Sequence, residues 1–142
     1  MKFDAFAIGQ EFHTEPVMIT KEDIIAFGEK YDPQYFHINE QAAANSLFGS
    51  LIASGFHTLA VVWSEWIKMD ILSEDCLGGV GADEIRWKKP VRANDWLTGR
   101  FTVAAKKKDS NGKRGLLTLE VIIKNQRDEE VLTCSTNVFV QA

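Results

Sequence analysis

The chain of 142 residues carries 16 Lys plus Arg against 20 Asp plus Glu, a formal charge of −4. No global field therefore draws it to nucleic acid or to an anionic membrane, and any basic site is local. With 45% hydrophobic residues, 25% charged and three prolines, the composition is that of one packed domain over residues 1–142, which excludes collagen, low-complexity repeats and disorder.

Two isolated cysteines, Cys76 and Cys134, do not make a disulfide scaffold or a Cys-x-x-Cys zinc site. Asp4 falls where a leader would be apolar, so the expected location is the cytoplasm. Glu11–Ile19 reads as a short extended stretch. Thr20 has the side-chain oxygen of an N-cap, and Ile24, Ile25, Phe27 and Tyr31 follow as an apolar stripe. That predicts a helix ended by Asp32-Pro33, because a residue before proline is pushed out of the helical region. Tyr31–Ile38 is then a loop, and Asn39 caps a small helix over Glu40–Ser46.

From Gln41 to Ser64 no residue is charged, but Asn45, Ser46, Gly49, Ser50, Ser54, Gly55 and His57 interrupt the run. A buried segment of a soluble protein is expected there, and no membrane span. Phe56–Leu72 is apolar at eleven of seventeen positions, with Glu65 and Lys68 sharing one narrow wet strip. This predicts a long helix mostly surrounded by protein, which a curved sheet would supply. After a break at Gly78-Gly79, strands are expected at Asp83–Lys88, Trp96–Lys106, Gly115–Lys124 and Val131–Val140. Asp109-Ser110-Asn111-Gly112 and Gln126-Arg127-Asp128 are the turn signals between them. Helices first and a strand meander afterwards mean an α+β fold with an antiparallel sheet.

Three segments carry chemistry. Asp32 and His37 stand five residues apart in irregular backbone among aromatic residues, a pairing that exchanges protons near neutral pH. By spacing alone the alternative is that Asp32 merely ends a helix and His37 fills a core gap. Ser54-Gly55 opens the long helix, where free N–H groups and the helix dipole stabilise an oxyanion, and His57 follows toward the same cavity. The alternative is an ordinary helix start capped by Ser54. Arg86, Lys88, Lys89 and Arg92 place four positive charges in seven residues, suited to the phosphates of a nucleotide-like carrier such as coenzyme A or to a solvated strand edge.

The order and separation of Tyr31-Asp32-Pro33-Gln34-Tyr35-Phe36-His37, of Phe48-Gly49-Ser50-Leu51-Ile52-Ala53-Ser54-Gly55-Phe56-His57-Thr58, and of Trp87-Lys88-Lys89-Pro90-Val91-Arg92-Ala93-Asn94-Asp95 resemble the MaoC-like dehydratases, which include the (R)-specific enoyl-CoA hydratases. The resemblance implies a hot-dog fold, a central helix wrapped by an antiparallel sheet, and assembly as a homodimer or a dimer-based oligomer. It implies a hydro-lyase acting on an acyl-CoA or acyl carrier protein thioester, with no metal and no redox cofactor. Asp32 and His37 would be the catalytic pair, the Gly55 N–H the oxyanion donor, and Ser54, His57, Trp63, Lys88, Lys89 and Arg92 substrate contacts. Where those hydratases have Asn-Pro between the two catalytic residues, this chain has Gln34-Tyr35-Phe36. Eight residues past the glycine it has Trp63 in place of a small serine, which implies a short or branched acyl group. The rivals are a hot-dog thioesterase and a non-catalytic acyl-CoA-binding module.

Overall fold

Four long antiparallel strands and one helix organise the protein, whose computed structural model describes residues 1–142. In chain order the elements are β1 (Glu11–His13), β2 (Val17–Met18), α1 (Lys21–Tyr31), α2 (Tyr35–Ile38), α3 (Glu40–Ala44), α4 (Gly55–Lys68), β3 (Cys76–Trp87), β4 (Trp96–Lys108), β5 (Arg114–Lys124) and β6 (Glu130–Gln141). The sheet order is β1-β4-β5-β6-β3, with β2 also paired to β4. This is the expected α+β hot-dog architecture, in which the sheet curves around α4.

Alternation sets which strand face meets the helix. Leu97, Phe101 and Val103 of β4, Leu117, Leu119, Val121 and Ile123 of β5, and Leu132, Cys134, Val138 and Val140 of β6 are buried on one side. The register Phe101↔Val121 and Val121↔Cys134 lines them up across three strands. α4 turns Val62 and Trp66 onto this face, and the Trp66 indole stacks on Phe101 with centroids 4.6 Å apart. Gly99 lets the helix approach, since a Cβ there would stand 2.6 Å from Val62 Cγ1.

Local capping follows the sequence. Thr20 accepts a hydrogen bond from the Asp23 N–H and Asn39 from the Ala42 N–H. Both expected hairpin turns form, with Gly112 and Asp128 in the left-handed region at φ 70° and 60°. Other expectations need correction. Glu11–Ile19 is two short strands, and the expected loop Tyr31–Ile38 contains the single helical turn α2. The small helix ends at Ala44, and α4 stops at Lys68 because Asp70 turns to φ 57°. Gly78-Gly79 does not break the chain. β3 runs through both, absorbing them in register shifts against β6 at Cys76/Gly78 and Gly79/Gly81, as bulges do.

The long helix is also less enclosed than its composition demands. Phe56, Ala60 and Ile67 are exposed, and Phe56, Leu59, Ala60 and Trp63 face Gly79, Gly81 and Ala82 across an open apolar groove of about 410 Å³. β3 pairs with β6 on one edge only, and of its twelve residues only Ile85 is even partly covered. No helix is long and apolar enough to cross a membrane.

Candidate active site

α1 delivers Asp32 at its C-terminus. The Asp32 N–H closes the helix on the Gly28 carbonyl at 2.9 Å, its own φ of −153° leaves the helical region, and Pro33 prevents continuation. The one turn of α2 then brings His37 back toward it. The His37 Nδ1 lies 2.7 Å from the Ile52 carbonyl oxygen. A carbonyl only accepts, so Nδ1 holds its hydrogen and donates, and in the neutral ring Nε2 carries the lone pair. That Nε2 lies 3.4 Å from Asp32 Oδ2, with the histidine side chain 5% and the aspartate 19% exposed. Phe36 packs its ring edge-on to the imidazole, 4.6 Å between centroids, and fixes its plane.

Both carboxylate oxygens of Asp32 are held. Gln34 Nε2 donates to Oδ1 at 2.8 Å and the Ser54 hydroxyl to Oδ2 at 2.8 Å. Burial pushes this carboxyl upward, but the hydrogen bonds from Gln34 and Ser54 and the neighbouring His37 outweigh it, so its pKa lies below the ordinary carboxylate value. Asp32 is therefore ionised across the neutral range, able to orient water and stabilise an imidazolium but not to start a reaction as an acid.

The third component is the start of α4. The strap before it is pinned on both sides: the Ile52 N–H donates to the Phe36 carbonyl at 3.0 Å and the Ala53 N–H to the Val91 carbonyl at 2.8 Å. The Gly55, Phe56 and His57 N–H groups follow with no acceptor in the protein, at the positive end of a fourteen-residue helix. Gly55 lines the same cavity, about 440 Å³, as Asp32, Gln34 and His37, with Phe48, Phe56 and Trp87 among its apolar walls. An ionised carboxylate, an imidazole lone pair and unpaired amide hydrogens thus share one partly apolar chamber of ligand size.

The other expected contacts divide. Lys88 and Lys89 line the cavity, and each is paired with an acidic residue, Lys88 with Glu130 at 3.2 Å and Lys89 with Glu129 at 2.6 Å. Arg92 does not line it: its guanidinium donates to the Phe48 carbonyl at 2.7 Å and to the Ser50 hydroxyl, tying the strap before α4 to the turn before β4. His57 also points elsewhere, stacked on Phe27 at 4.6 Å and 6° with Nδ1 buried and unpartnered; burial lowers its pKa against the pull of Asp23, which favours the neutral ring. Trp63 packs on Phe101 and lines the neighbouring groove, which meets the cavity at Phe56.

Ser54 occupies the N-cap position, yet its side chain caps nothing in α4 and serves Asp32, twenty-two residues earlier. Gln34 and Trp87 were visible in the sequence motifs, but nothing in local spacing signals their place in the cavity. Ser54→Ala removes one donor that favours the ionised carboxyl, so the Asp32 pKa should rise toward its ordinary value. The acid limb of kcat/KM should move to higher pH, read from a pH–rate profile. The stabilisation contributed by the depressed pKa is present above the unfolded value and lost as pH falls through the folded one, so acid unfolding should also begin at higher pH in the variant. An unmoved acid limb would remove Ser54 from the site's electrostatics.

The chain is similar to known proteins over most of its length. The model of the MaoC-like domain matches residues 4–125. The protein YdeM of Bacillus subtilis (strain 168) is 33% identical over 143 residues, with 99% of each chain covered. The crystal structure of the MaoC-like dehydratase from Rhodospirillum rubrum is 32% identical and superimposes with a TM-score of 0.92 over 99% of this chain and 97% of that one. The (R)-hydratase from A. caviae, 21% identical, shares the fold at a TM-score of 0.76 over 94% of this chain and 96% of its own.

Proposed function

The chain belongs to the family of MaoC-like dehydratases, and from that premise and the cavity's geometry we propose that it is a hydro-lyase adding water to a 2-enoyl thioester, or removing it from a 3-hydroxyacyl thioester. The observation that carries the proposal is the convergence of Asp32, His37 and the free Gly55 N–H on one chamber. Hydration needs a base for the water attacking C3, a proton for C2, and a counter-charge for the enolate oxygen between those events.

Each task has a group. Asp32 and the His37 Nε2 are both acceptors, and a water donating to the pair is oriented with its oxygen free to attack. As the oxygen bonds to C3, its proton passes to Nε2, Asp32 stabilises the imidazolium, and the thioester oxygen gathers charge against the Gly55 N–H. The imidazolium then returns the proton to C2, leaving the enzyme unchanged and the 3-hydroxyacyl thioester complete. Dehydration runs the same steps backward. Neither metal nor redox cofactor takes part.

Lys88 and Lys89 at the chamber wall suit the phosphates of coenzyme A or of an acyl carrier protein's arm. Their ion pairs are exposed and screened by solvent, so a phosphate can replace the glutamate at little cost. Past Phe56 the acyl tail meets the apolar groove, where Trp63 limits its length and favours short or branched chains. The free edge of β3 and the open groove beside it suit a second copy of the chain, paired about a two-fold axis, because a long uncovered edge strand is a template for association. Light scattering should then give the mass of two chains or a multiple; a single-chain mass at micromolar concentration contradicts the dimer.

The test of function is a spectrophotometric screen of enoyl-CoAs graded in length and branching, with the matching pantetheine thioesters in parallel. Loss of enoyl absorbance with formation of the 3-hydroxyacyl product supports the proposal, and Lys88→Ala with Lys89→Ala should raise KM for the CoA ester only. Release of free thiol without hydration would instead identify a thioesterase. Tight binding without turnover of any thioester would leave a binding module.

A further inference from the structure

Gly55 is glycine for a reason visible across the cavity. A Cβ at position 55 would overlap the indole of Trp87, with the ring nitrogen as the atom it meets first. Trp87 is the last residue of β3, and its ring lies over the beginning of α4, edge-on to Phe56 at 5.1 Å between centroids. It lines the chamber together with Asp32, His37 and Gly55. Its N–H donates to nothing in the protein, whereas on either side the Arg86 guanidinium donates to the Ile85 carbonyl and the Lys88 ammonium to Glu130. A tryptophan usually satisfies that group when it is drawn into an apolar setting. Here the ring is half exposed and its nitrogen occupies the space beside the Cα of Gly55, whose own amide hydrogen is also unpaired.

We propose that the Trp87 indole N–H is a second hydrogen-bond donor to the thioester oxygen, completing with the Gly55 amide a two-donor oxyanion site assembled from the end of β3 and the start of α4. This rests on the hydro-lyase reading above and adds to it a substrate contact. One amide hydrogen satisfies one lone pair of a carbonyl oxygen, whereas an enolate oxygen, carrying more charge, benefits from a donor on each. The indole serves this purpose without a charge that would attract the Asp32 carboxylate, and its apolar faces shield the developing enolate from water. The neighbouring residues fix the backbone that carries the ring: the Lys88 N–H is bonded to the Val131 carbonyl at 2.9 Å and Pro90 stiffens the chain beyond it. Pairing the glycine with the tryptophan also explains why the position that opens the helix carries no side chain, since any side chain there would separate the two donors.

Trp87→Phe keeps an aromatic cover over Gly55 and removes the donor. Removal of one oxyanion donor typically costs about 10²–10³ in kcat, and with the Gly55 amide retained the expected fall is about 10-fold to 10²-fold, with KM within about threefold of wild type. A purely packing role would not produce that split. The second readout is the vibrational frequency of a thioester carbonyl labelled with carbon-13 in a bound enoyl-CoA. Wild type should shift it to lower frequency than free ligand, and Trp87→Phe should lose part of that shift. The wild-type protein supplies a third measurement that needs no variant: of its four indole N–H proton resonances, one should move downfield when acyl-CoA binds. Wild-type kcat and an unchanged carbonyl frequency in Trp87→Phe, or no indole shift on binding, would overturn the second donor while leaving the hydro-lyase reading intact. A wild-type protein that hydrates no enoyl thioester would overturn both.

Discussion

Asp32→Asn and His37→Ala are each expected to lower kcat by about 10²–10⁴ with thioester affinity largely retained, the range that a positioned acid–base group contributes. The asparagine keeps the shape of Asp32 but not its charge. Its side-chain oxygen can still accept from Gln34 Nε2 and its nitrogen donate to the Ser54 hydroxyl, so the side chain stays in place but, uncharged, no longer stabilises an imidazolium. His37→Ala removes the proton carrier and also leaves the Ile52 carbonyl without its imidazole partner in a buried place. That loss costs about 1–3 kcal/mol of stability, so unfolding has to be measured beside the rate. Because the two side chains handle one water and one proton, the double variant should be little slower than the worse single one. Steady-state kinetics of the three proteins decide the matter; full activity in both single variants would exclude the pair.

Gly55→Ala is expected to separate activity from stability. The added methyl overlaps the Trp87 ring and forces the indole away from the helix start while the backbone N–H of residue 55 remains, so kcat should fall by about 10-fold to 10²-fold, as in Trp87→Phe. Stability should change little. Gly55 is the first residue of α4, where the interior preference for alanine over glycine carries little weight, and the clash is with a half-exposed side chain that can swing outward. The comparison is kcat against Tm for the same preparation. Because the substitution keeps the backbone N–H of residue 55, a variant with wild-type kcat would show that the seat of the Trp87 indole against the helix start does not matter to the reaction, and a variant that unfolds would contradict the expected stability.

The parts of the site that could be read from sequence are those whose cause is local. Asp32 is placed by Pro33, which ends α1, and the distance to His37 is the length of one short turn. Gly55 is placed by being the first residue of an apolar helix whose stripe is visible in composition. Ser54 reads locally as a helix N-cap and by the resemblance as a substrate contact, and neither signals that its hydroxyl reaches a carboxylate twenty-two residues away. Arg92 looked like an anion contact because nothing in its neighbourhood shows the Phe48 carbonyl and Ser50 hydroxyl that occupy it. His57 and Trp63 lie on the same helix as Gly55, but helical rotation carries them to Phe27 and Phe101 instead of into the chamber.

The same distinction holds for the fold. β4, β5 and β6 alternate between buried and half-exposed positions, so their core face follows from period alone. β3 has no such pattern, because neither face is covered within the chain and bulges absorb its glycines. The helix α4 was expected to be enclosed because its composition is apolar nearly all round. The single chain covers only the side carrying Val62 and Trp66, and the remainder borders the groove assigned above to the acyl tail and the second subunit.

The most direct test of the account is a crystal structure of the Asp32→Asn protein with an enoyl-CoA bound. The account predicts the thioester oxygen within hydrogen-bond distance of the Gly55 nitrogen, and C3 of the acyl group facing the space between residues 32 and 37. A carbonyl lodged elsewhere in the chamber, with the double bond turned away from the imidazole of His37, would contradict it.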